Sequence, residues 1–562
     1  MSLDTAPQAV ASAGIGAAAP AEIRPDRPFP GFPKSWRSLG RVFVESARAH
    51  RDKTAMIDST GQTRTYGRCL VEAIALARAF RKMPLPGEYV GVFLPPTVPS
   101  AIANLALTLA GYIPVNLNYT AGEGVINSSI DQCGIRAVVT SQRAIDKFKL
   151  TPKGQLVMLE AIPKTMTKAD KALAYALANY APTGLLGAFL PGLRNDSRDK
   201  TATVIFTSGS TGDPKGVVLS HGNLLSNIKA LPDQLHFLEN EVVLGILPFF
   251  HSFGFCVPLW MVLILGKTAV YHFNPLDARI IGNLCQEHGV TLAILAPTFA
   301  RNYLSRCKDE QFATVKRVVT GAEKLKPELA QELRDRWKTI TLEGYGTTEL
   351  SPVVGVNIDE DVTLPDGRVV PGNRPGSIGR PIAGTAVKTI DPETGADLPR
   401  GEVGIICVKG PQVMQGYLNK PEQTAKVIKD GWYSTGDLGR IDEDGFVWIT
   451  DRLSRFSKIG GEMVPHERVE AAIRQVAGID ESAVVVSSIP DPKRGERLIV
   501  LFKALGDLTP AEVCQKLGAT DLPKLWLPGP DDFFPIEAVP ILGTGKLDLV
   551  HIRQLAREKA GA

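Results

Sequence analysis

Ten residues, Thr207-Ser-Gly-Ser-Thr-Gly-Asp-Pro-Lys-Gly216, lie between two short apolar runs, Val204-Ile-Phe206 and Val217-Val-Leu219. The runs read as buried strands, so the stretch between them must turn the chain. It does so with three glycines, four hydroxyl side chains and one lysine. Glycine lets backbone N–H groups swing toward a common point, hydroxyls add donors, and Lys215 adds a mobile cation. Such a loop is suited to wrapping a polyphosphate. An ordinary hairpin turn needs far fewer donors. The Walker spacing Gly-x-x-x-x-Gly-Lys-Ser/Thr is absent, because Asp213-Pro214 separates Gly212 from Lys215.

At 562 residues the chain is too long for one core and should divide into two or more domains. Its 44% hydrophobic and 22% charged content is that of a globular protein, and a net charge of +4 argues against bulk nucleic-acid binding. Seven cysteines without a Cys-x-x-Cys pair imply a reducing compartment, with no zinc site and no disulfide framework. The Ala- and Pro-rich residues 1–33 read as a disordered tail without the features of a signal peptide. Val242 to Gly266 carries no charge and is long enough to span a bilayer, but Pro248, His251, Ser252, Gly254 and Pro258 interrupt it. A buried strand, a turn and a core helix fit it better. Lys168 to Leu193 reads as a helix packed on its domain, with an amphipathic helix touching lipid as the alternative. The expected location is cytoplasmic, with peripheral contact at the inner membrane face left open.

From Leu39 onward, helical patterns alternate with short apolar runs such as Tyr89–Phe93, Ala137–Thr140, Leu292–Leu295 and Arg317–Thr320. That alternation predicts an α/β class with largely parallel sheet. From about Pro371, strands punctuated by Gly and Pro predict a β-rich subdomain, and the end of the chain predicts a small α+β domain. The expected division is residues 34–450 and 451–562.

Three further motifs carry chemistry. Gly344-Tyr-Gly-Thr-Thr-Glu349 follows an apolar run, placing an aromatic face, hydroxyls and a carboxylate at a strand end, where α/β proteins keep ligands. In Ser434-Thr-Gly-Asp437, the Asp437 carboxylate reads either as a ribose ligand or as a plain Asx turn. Gly543-Thr-Gly-Lys546 places a long cation on a glycine-flexed loop.

Taken in order, TSGSTGDPKG, GYGTTE, YSTGD, the Asp451-Arg452 pair and the Gly-flanked lysine resemble the adenylate-forming superfamily of acyl- and aryl-CoA synthetases, adenylation domains and luciferases. The resemblance implies that Thr207, Ser208, Gly209, Thr211, Gly212 and Lys215 hold the β- and γ-phosphates of ATP. It places Gly321, Ala322, Glu323, Gly344, Tyr345 and Gly346 around adenine, Thr348 on the α-phosphate and Glu349 on Mg²⁺. Asp437 and Arg452 would bind ribose, and Lys546 would bridge the substrate carboxylate and the α-phosphate. It further implies a mobile C-terminal domain rotating about Asp451–Ser454, where Ser454 stands in place of the usual Lys or Asp.

A narrower resemblance rests on Leu247-Pro-Phe-Phe-His-Ser-Phe-Gly254, Gly321-Ala-Glu-Lys-Leu325, Arg455–Val464 and Leu542–Lys546. These are similar to the synthetase half of bacterial acyl-ACP synthetase/2-acylglycerophosphoethanolamine acyltransferases, without the acyltransferase domain. The implied reaction activates a long-chain fatty acid and loads it onto acyl carrier protein, with CoA as the alternative acceptor. A non-catalytic acyl or nucleotide sensor on the same fold is the reading from another class. The Val242–Gly266 segment would wall an acyl tunnel, with His251 and Phe253 touching substrate, although His251 also fits a satisfied core histidine. Arg452, Arg455, Lys458, Lys493, Arg494 and Arg497 would meet an acidic carrier or the phosphates of CoA, or form a solvated face. His272 and Asp277 match a His-x-x-x-x-Asp spacing, read here as coincidence.

Overall fold

The computed structural model describes residues 26–561, apart from 84, 195, 208–213, 453–454, 460–461, 493, 521 and 542–546. Nine strands form the largest sheet. Its middle six are parallel, in the order Ile340–Gly346, Arg317–Thr320, Leu292–Leu295, Val242–Gly245, Thr268–Tyr271 and Thr54–Asp58. Antiparallel strands close both edges. Most of these strands are only four residues long, and several are buried at every position. Burial on both faces is what continuous apolar runs predict, since helices cover a parallel sheet on either side.

A second parallel sheet contains Ile113–Asn116, Tyr89–Val92, Ala137–Thr140 and Gln155–Met158. An antiparallel hairpin, Thr201–Thr207 with Lys215–Ser220, carries the donor-rich loop, and Gly416–Tyr417 pairs along its outer edge. After Pro381 a separate antiparallel sheet includes Gly404–Lys409, Trp432–Ile441 and Val447–Arg452. The chain is thus α/β with a β-rich portion, as expected. The buried apolar side chains from Ile459 to Ala556 form clusters separate from the large one spanning Leu39 to Val447.

The uncharged segment resolves into the strand Val242–Gly245 and a helical run from Ser252 to Ile264, with a π-helical turn over Phe255–Met261 around Pro258. Proline lacks the N–H that a regular helix would use, and the wider turn accommodates that loss. Trp260 is fully buried there. Among the described residues, no helix is long and apolar enough to cross a membrane.

One expectation needs correction. Residues 26–33, assigned by sequence to the tail, are held on the fold. Asp26 pairs with Arg380 at 2.7 Å, and Arg27 donates to the Pro381 carbonyl at 3.0 Å. These are long-range charge contacts that local composition does not reveal. Residues 1–25 lie outside the described residues.

At the N-terminal ends of the central strands of the large sheet, Arg317 donates to Glu241 at 2.6 Å with both side chains buried. Arg317 also bonds the His236 carbonyl at 3.2 Å. Arg317→Leu leaves Glu241 charged and buried, and is expected to cost about 3–5 kcal/mol in denaturant unfolding followed by tryptophan fluorescence. Adding Glu241→Leu should recover most of that loss. A single variant as stable as wild type would contradict this account.

Candidate active site

The parallel strands deliver their C-terminal ends to a cleft of about 950 Å³. Thr207 and Lys215 face each other across the base of the hairpin, both lining this cleft. Ser208, Gly209, Thr211 and Gly212 between them lie outside the described residues, as does Lys546. Ile541 and Leu547 flank Lys546, pair with each other in a short bridge and line the same cleft.

The strand Ile340–Gly346 carries three of the predicted residues into the cleft. Gly346 is required by close approach: a Cβ there would lie 1.9 Å from the Pro352 carbonyl oxygen. Thr347 then donates to that same oxygen at 3.0 Å, turning the chain back on itself. Tyr345, one residue earlier, bonds the Asp437 carboxylate through its hydroxyl. Thr348 is buried, with its hydroxyl 3.1 Å from that of Ser252. Glu349 accepts from the Tyr417 hydroxyl at 2.9 Å, and the Lys215 ammonium stands 5.2 Å from the Tyr417 ring. Burial, with the Glu349 carboxylate beside it, holds the Tyr417 phenol well above its usual range, so it remains a donor.

Gly321 and Ala322 line the cleft opposite, and Ala322 adopts a left-handed φ of 71°. A Cβ on Gly321 would come within 3.1 Å of the Phe253 ring, so this glycine keeps the wall thin beside Phe253. Glu323 is turned aside, accepting from the backbone N–H and hydroxyl of Thr298 at 3.1 and 2.7 Å. It does not line the cleft with Gly321 and Ala322. Asp437 is not on a loop: it lies inside the strand Trp432–Ile441, directly opposite Arg452 in register. Gly436, at φ 74°, bends that strand to bring the carboxylate in. His251 is half-buried, lines the cleft and accepts from the Phe253 N–H at 3.3 Å.

Beyond this polar platform the cleft continues between apolar side chains, including Leu231, Leu235, Val257, Met261, Leu292 and Ile294. Leu292 begins its strand and Gly321 follows the end of the neighbouring one. The apolar limb therefore runs most of the depth of the sheet. Sequence reasoning missed Tyr417, Ser252 and these wall leucines. Tyr417 had one signal, a Gly-Tyr pair among apolar residues, but nothing local ties it to Glu349.

Residues 43–418, more than half of the chain, match the AMP-binding enzyme family. The chain belongs to that family. It is 30% identical over 506 residues to the long-chain-fatty-acid–CoA ligase of Bacillus subtilis (strain 168), covering 85% of this chain and 86% of that protein. It is 30% identical over 448 residues to 4-coumarate–CoA ligase 5 of Oryza sativa subsp. japonica, covering 77% and 79%. In fold it is similar to ATP-bound MatB from Rhodopseudomonas palustris, with TM-score 0.73, 24% identity and coverage of 93% and 100%. MenE from Bacillus subtilis, in complex with ATP and magnesium ion, gives TM-score 0.73 at 22% identity, covering 90% and 98%. The chain is accordingly an adenylate-forming acid–thiol ligase, the class its motif order resembles. The relatives described are CoA ligases rather than acyl-ACP synthetases.

The residues present in this AMP-binding enzyme fit a magnesium nucleotide. The buried Thr347 hydroxyl on the cleft wall has no partner among the described residues. No cluster of three His, Cys, Asp or Glu side chains occurs among them either. Glu349 alone with nucleotide phosphates is the donor set that Mg²⁺ commonly takes. His272 and Asp277 do meet, at 3.0 Å, but the histidine is buried, its other nitrogen lies 2.7 Å from the Ser59 hydroxyl, and the pair is outside the cleft.

One carboxyl next to the platform titrates unusually. Burial pushes Glu343 up to about 7 from 4.5, against a 3.3 Å bond from the Leu325 N–H. Between those values the folded chain holds a proton that the unfolded chain has released, so stability falls as pH rises through the window and stays low above it. Glu343→Gln is expected to flatten that dependence and to exceed wild type at pH 8 by about 1–3 kcal/mol. Denaturant titrations at pH 5 and pH 8 check this. A variant less stable than wild type at both values would exclude it.

Proposed function

We propose that this enzyme joins a long-chain fatty acid to CoA. The first step is R-COO⁻ + ATP → acyl-AMP + pyrophosphate. In the second, the CoA thiol attacks the acyl carbonyl, AMP leaves, and the thiol proton passes to solvent. The observation that carries this reading is the continuity of the cleft, a polar platform opening directly into a deep apolar limb. Burying a chain there contributes about 0.8 kcal/mol per methylene, which favours a long acid over a short one.

In this reading the Thr207–Gly216 loop and Lys215 grip the β- and γ-phosphates, the part of ATP that leaves. Tyr345, with Gly321 and Ala322, forms the adenine wall, and Asp437 with Arg452 takes the ribose hydroxyls. Thr348 donates to the α-phosphate and is oriented for it by Ser252. Glu349 and the phosphates would hold Mg²⁺, which when bound offsets their charge. Lys546 would neutralise the carboxylate and α-phosphate as they approach, and fixed cations at that point stabilise the transition state more than the separated ions. We infer that residues 451–562 then rotate about Asp451–Ser454, withdrawing Lys546 and admitting the thiol.

CoA takes precedence over acyl carrier protein because the relatives sharing most of the chain are CoA ligases. The basic residues expected to meet an acidic carrier or the phosphates of CoA are partly used internally and do not favour either acceptor: Arg455 is buried against Glu470 at 2.7 Å, and Arg497 pairs with Asp532 at 2.6 Å. Supplied with ATP, Mg²⁺ and palmitate, the purified enzyme is expected to form palmitoyl-CoA and to leave holo-acyl carrier protein mostly unloaded. Preferential loading of the carrier would reverse that order, and absence of any fatty-acid-dependent pyrophosphate exchange would support the sensor. Lys546→Ala is expected to reduce exchange by about 10²–10³-fold while nucleotide binding persists. Near-normal exchange would remove Lys546 from its role.

A further inference from the structure

The helix Lys168–Asn179 is apolar on two faces. One face packs inward through Ala174, Leu177 and Ala178. The other carries Ala169, Ala172, Leu173 and Ala176 and ends at Tyr180, all exposed, at the spacing of a single helical stripe. Tyr180 is 75% exposed and Leu185, on the next turn of chain, 53%. Phe189, a few residues further on, is 38% exposed. Solitary exposed hydrophobes need no explanation, but a contiguous run of them marks a contact surface.

This surface is held in place by the fold. Arg48 donates to the carbonyls of Leu177, Ala178 and Ala181 at 3.0, 3.1 and 2.6 Å, fixing the end of the helix. Asp170, near its start, is ion-paired with Lys82.

Charge identifies what the surface would meet. Residues 161–194 contain Lys164, Lys168, Lys171 and Arg194 and one acid, Asp170, a net charge of 4 − 1 = +3 in a chain whose total is +4. A recess of about 280 Å³ opens beside Tyr180, lined by Arg48 and Arg51 among others. Cations in the same segment as the exposed Leu, Tyr and Phe, with Arg51 lining a recess beside Tyr180, match a bilayer interface carrying negative charge. A protein partner would instead favour a charge-depleted contact core.

We propose that this face docks the enzyme on an anionic lipid surface, with the stripe at the acyl boundary and the lysines and Arg51 among headgroup phosphates. Full-length protein is tested by flotation with vesicles of phosphatidylcholine alone and of phosphatidylcholine with phosphatidylglycerol. Wild type should bind the anionic vesicles at least about tenfold better, given several cations at the surface. Lys164→Gln with Lys168→Gln and Lys171→Gln should remove that preference. Leu173→Ser with Tyr180→Ser and Leu185→Ser should lower binding to both. All variants should keep wild-type pyrophosphate exchange, which reports an intact fold. Equal flotation of wild type and the lysine variant overturns the proposal, and so does failure of wild type to float. A dimer in sedimentation that the serine variant dissociates, without vesicle binding, also overturns it by assigning the face to a second copy.

Discussion

The close approach of Gly346 to the Pro352 carbonyl organises the active cleft. Because no side chain intervenes, the strand that brings Tyr345 forward can reverse at once and present Thr348 and Glu349 to the same space. Each of these three is then bonded to a different part of the molecule. Tyr345 reaches Asp437 in the antiparallel sheet, Thr348 reaches Ser252 at the head of the apolar segment, and Glu349 reaches Tyr417 beside the hairpin. The segment Tyr345–Glu349 thus ties the proposed nucleotide, acyl and phosphate walls together. Any added atom at Gly346 would act on all three.

The electrostatics of the cleft follow from its task. Activation brings a carboxylate to a triphosphate, so cations must be available without permanently neutralising the acids that orient them. Lys215 stands beside an aromatic face, and Glu349 accepts a hydrogen bond from the Tyr417 hydroxyl and pairs with no lysine or arginine among the described residues. A direct ion pair between the two would have to be broken before phosphate entered, whereas a cation–π contact is weaker and easier to exchange. The platform is therefore arranged for an incoming charge.

Much of this was legible in the sequence because it is local. Four-residue apolar runs such as Ala137–Thr140, Leu292–Leu295 and Arg317–Thr320 became strands with the expected bounds. Where the glycine-punctuated motifs are described, as at Thr207, Lys215, Gly346 and Gly436, they fell at strand ends or bends. What escaped was non-local. Tyr417 meets Glu349 only because Gly416–Tyr417 pairs with Val217–Val218, some two hundred residues earlier in the chain. Asp437 read as a loop residue because Gly436 looks like a turn, yet the strand continues through it with a bend. Arg455 read as surface charge because its partner Glu470 is 15 residues further on, past two strands and inside the next helix, and buried. Periodicity reports which face is apolar, and it carries no information about which charges find each other across the fold.

The apolar limb and the exposed stripe bear on one thermodynamic problem. A long acid gains about 0.8 kcal/mol per methylene on leaving water, but it makes the same gain in a bilayer. An enzyme drawing such a substrate from a membrane obtains almost no net binding from the chain, since one apolar environment replaces another. The chain then limits which acids fit, while the interactions that differ between bilayer and cleft are those at the carboxylate, where Lys546 and the nucleotide would act. Docking would bring the cleft to the phase in which the acid is concentrated. On this view the depth of the limb selects by length, and the charged platform, whose Thr347 hydroxyl has no partner among the described residues, supplies the preference for reaction over return to the membrane.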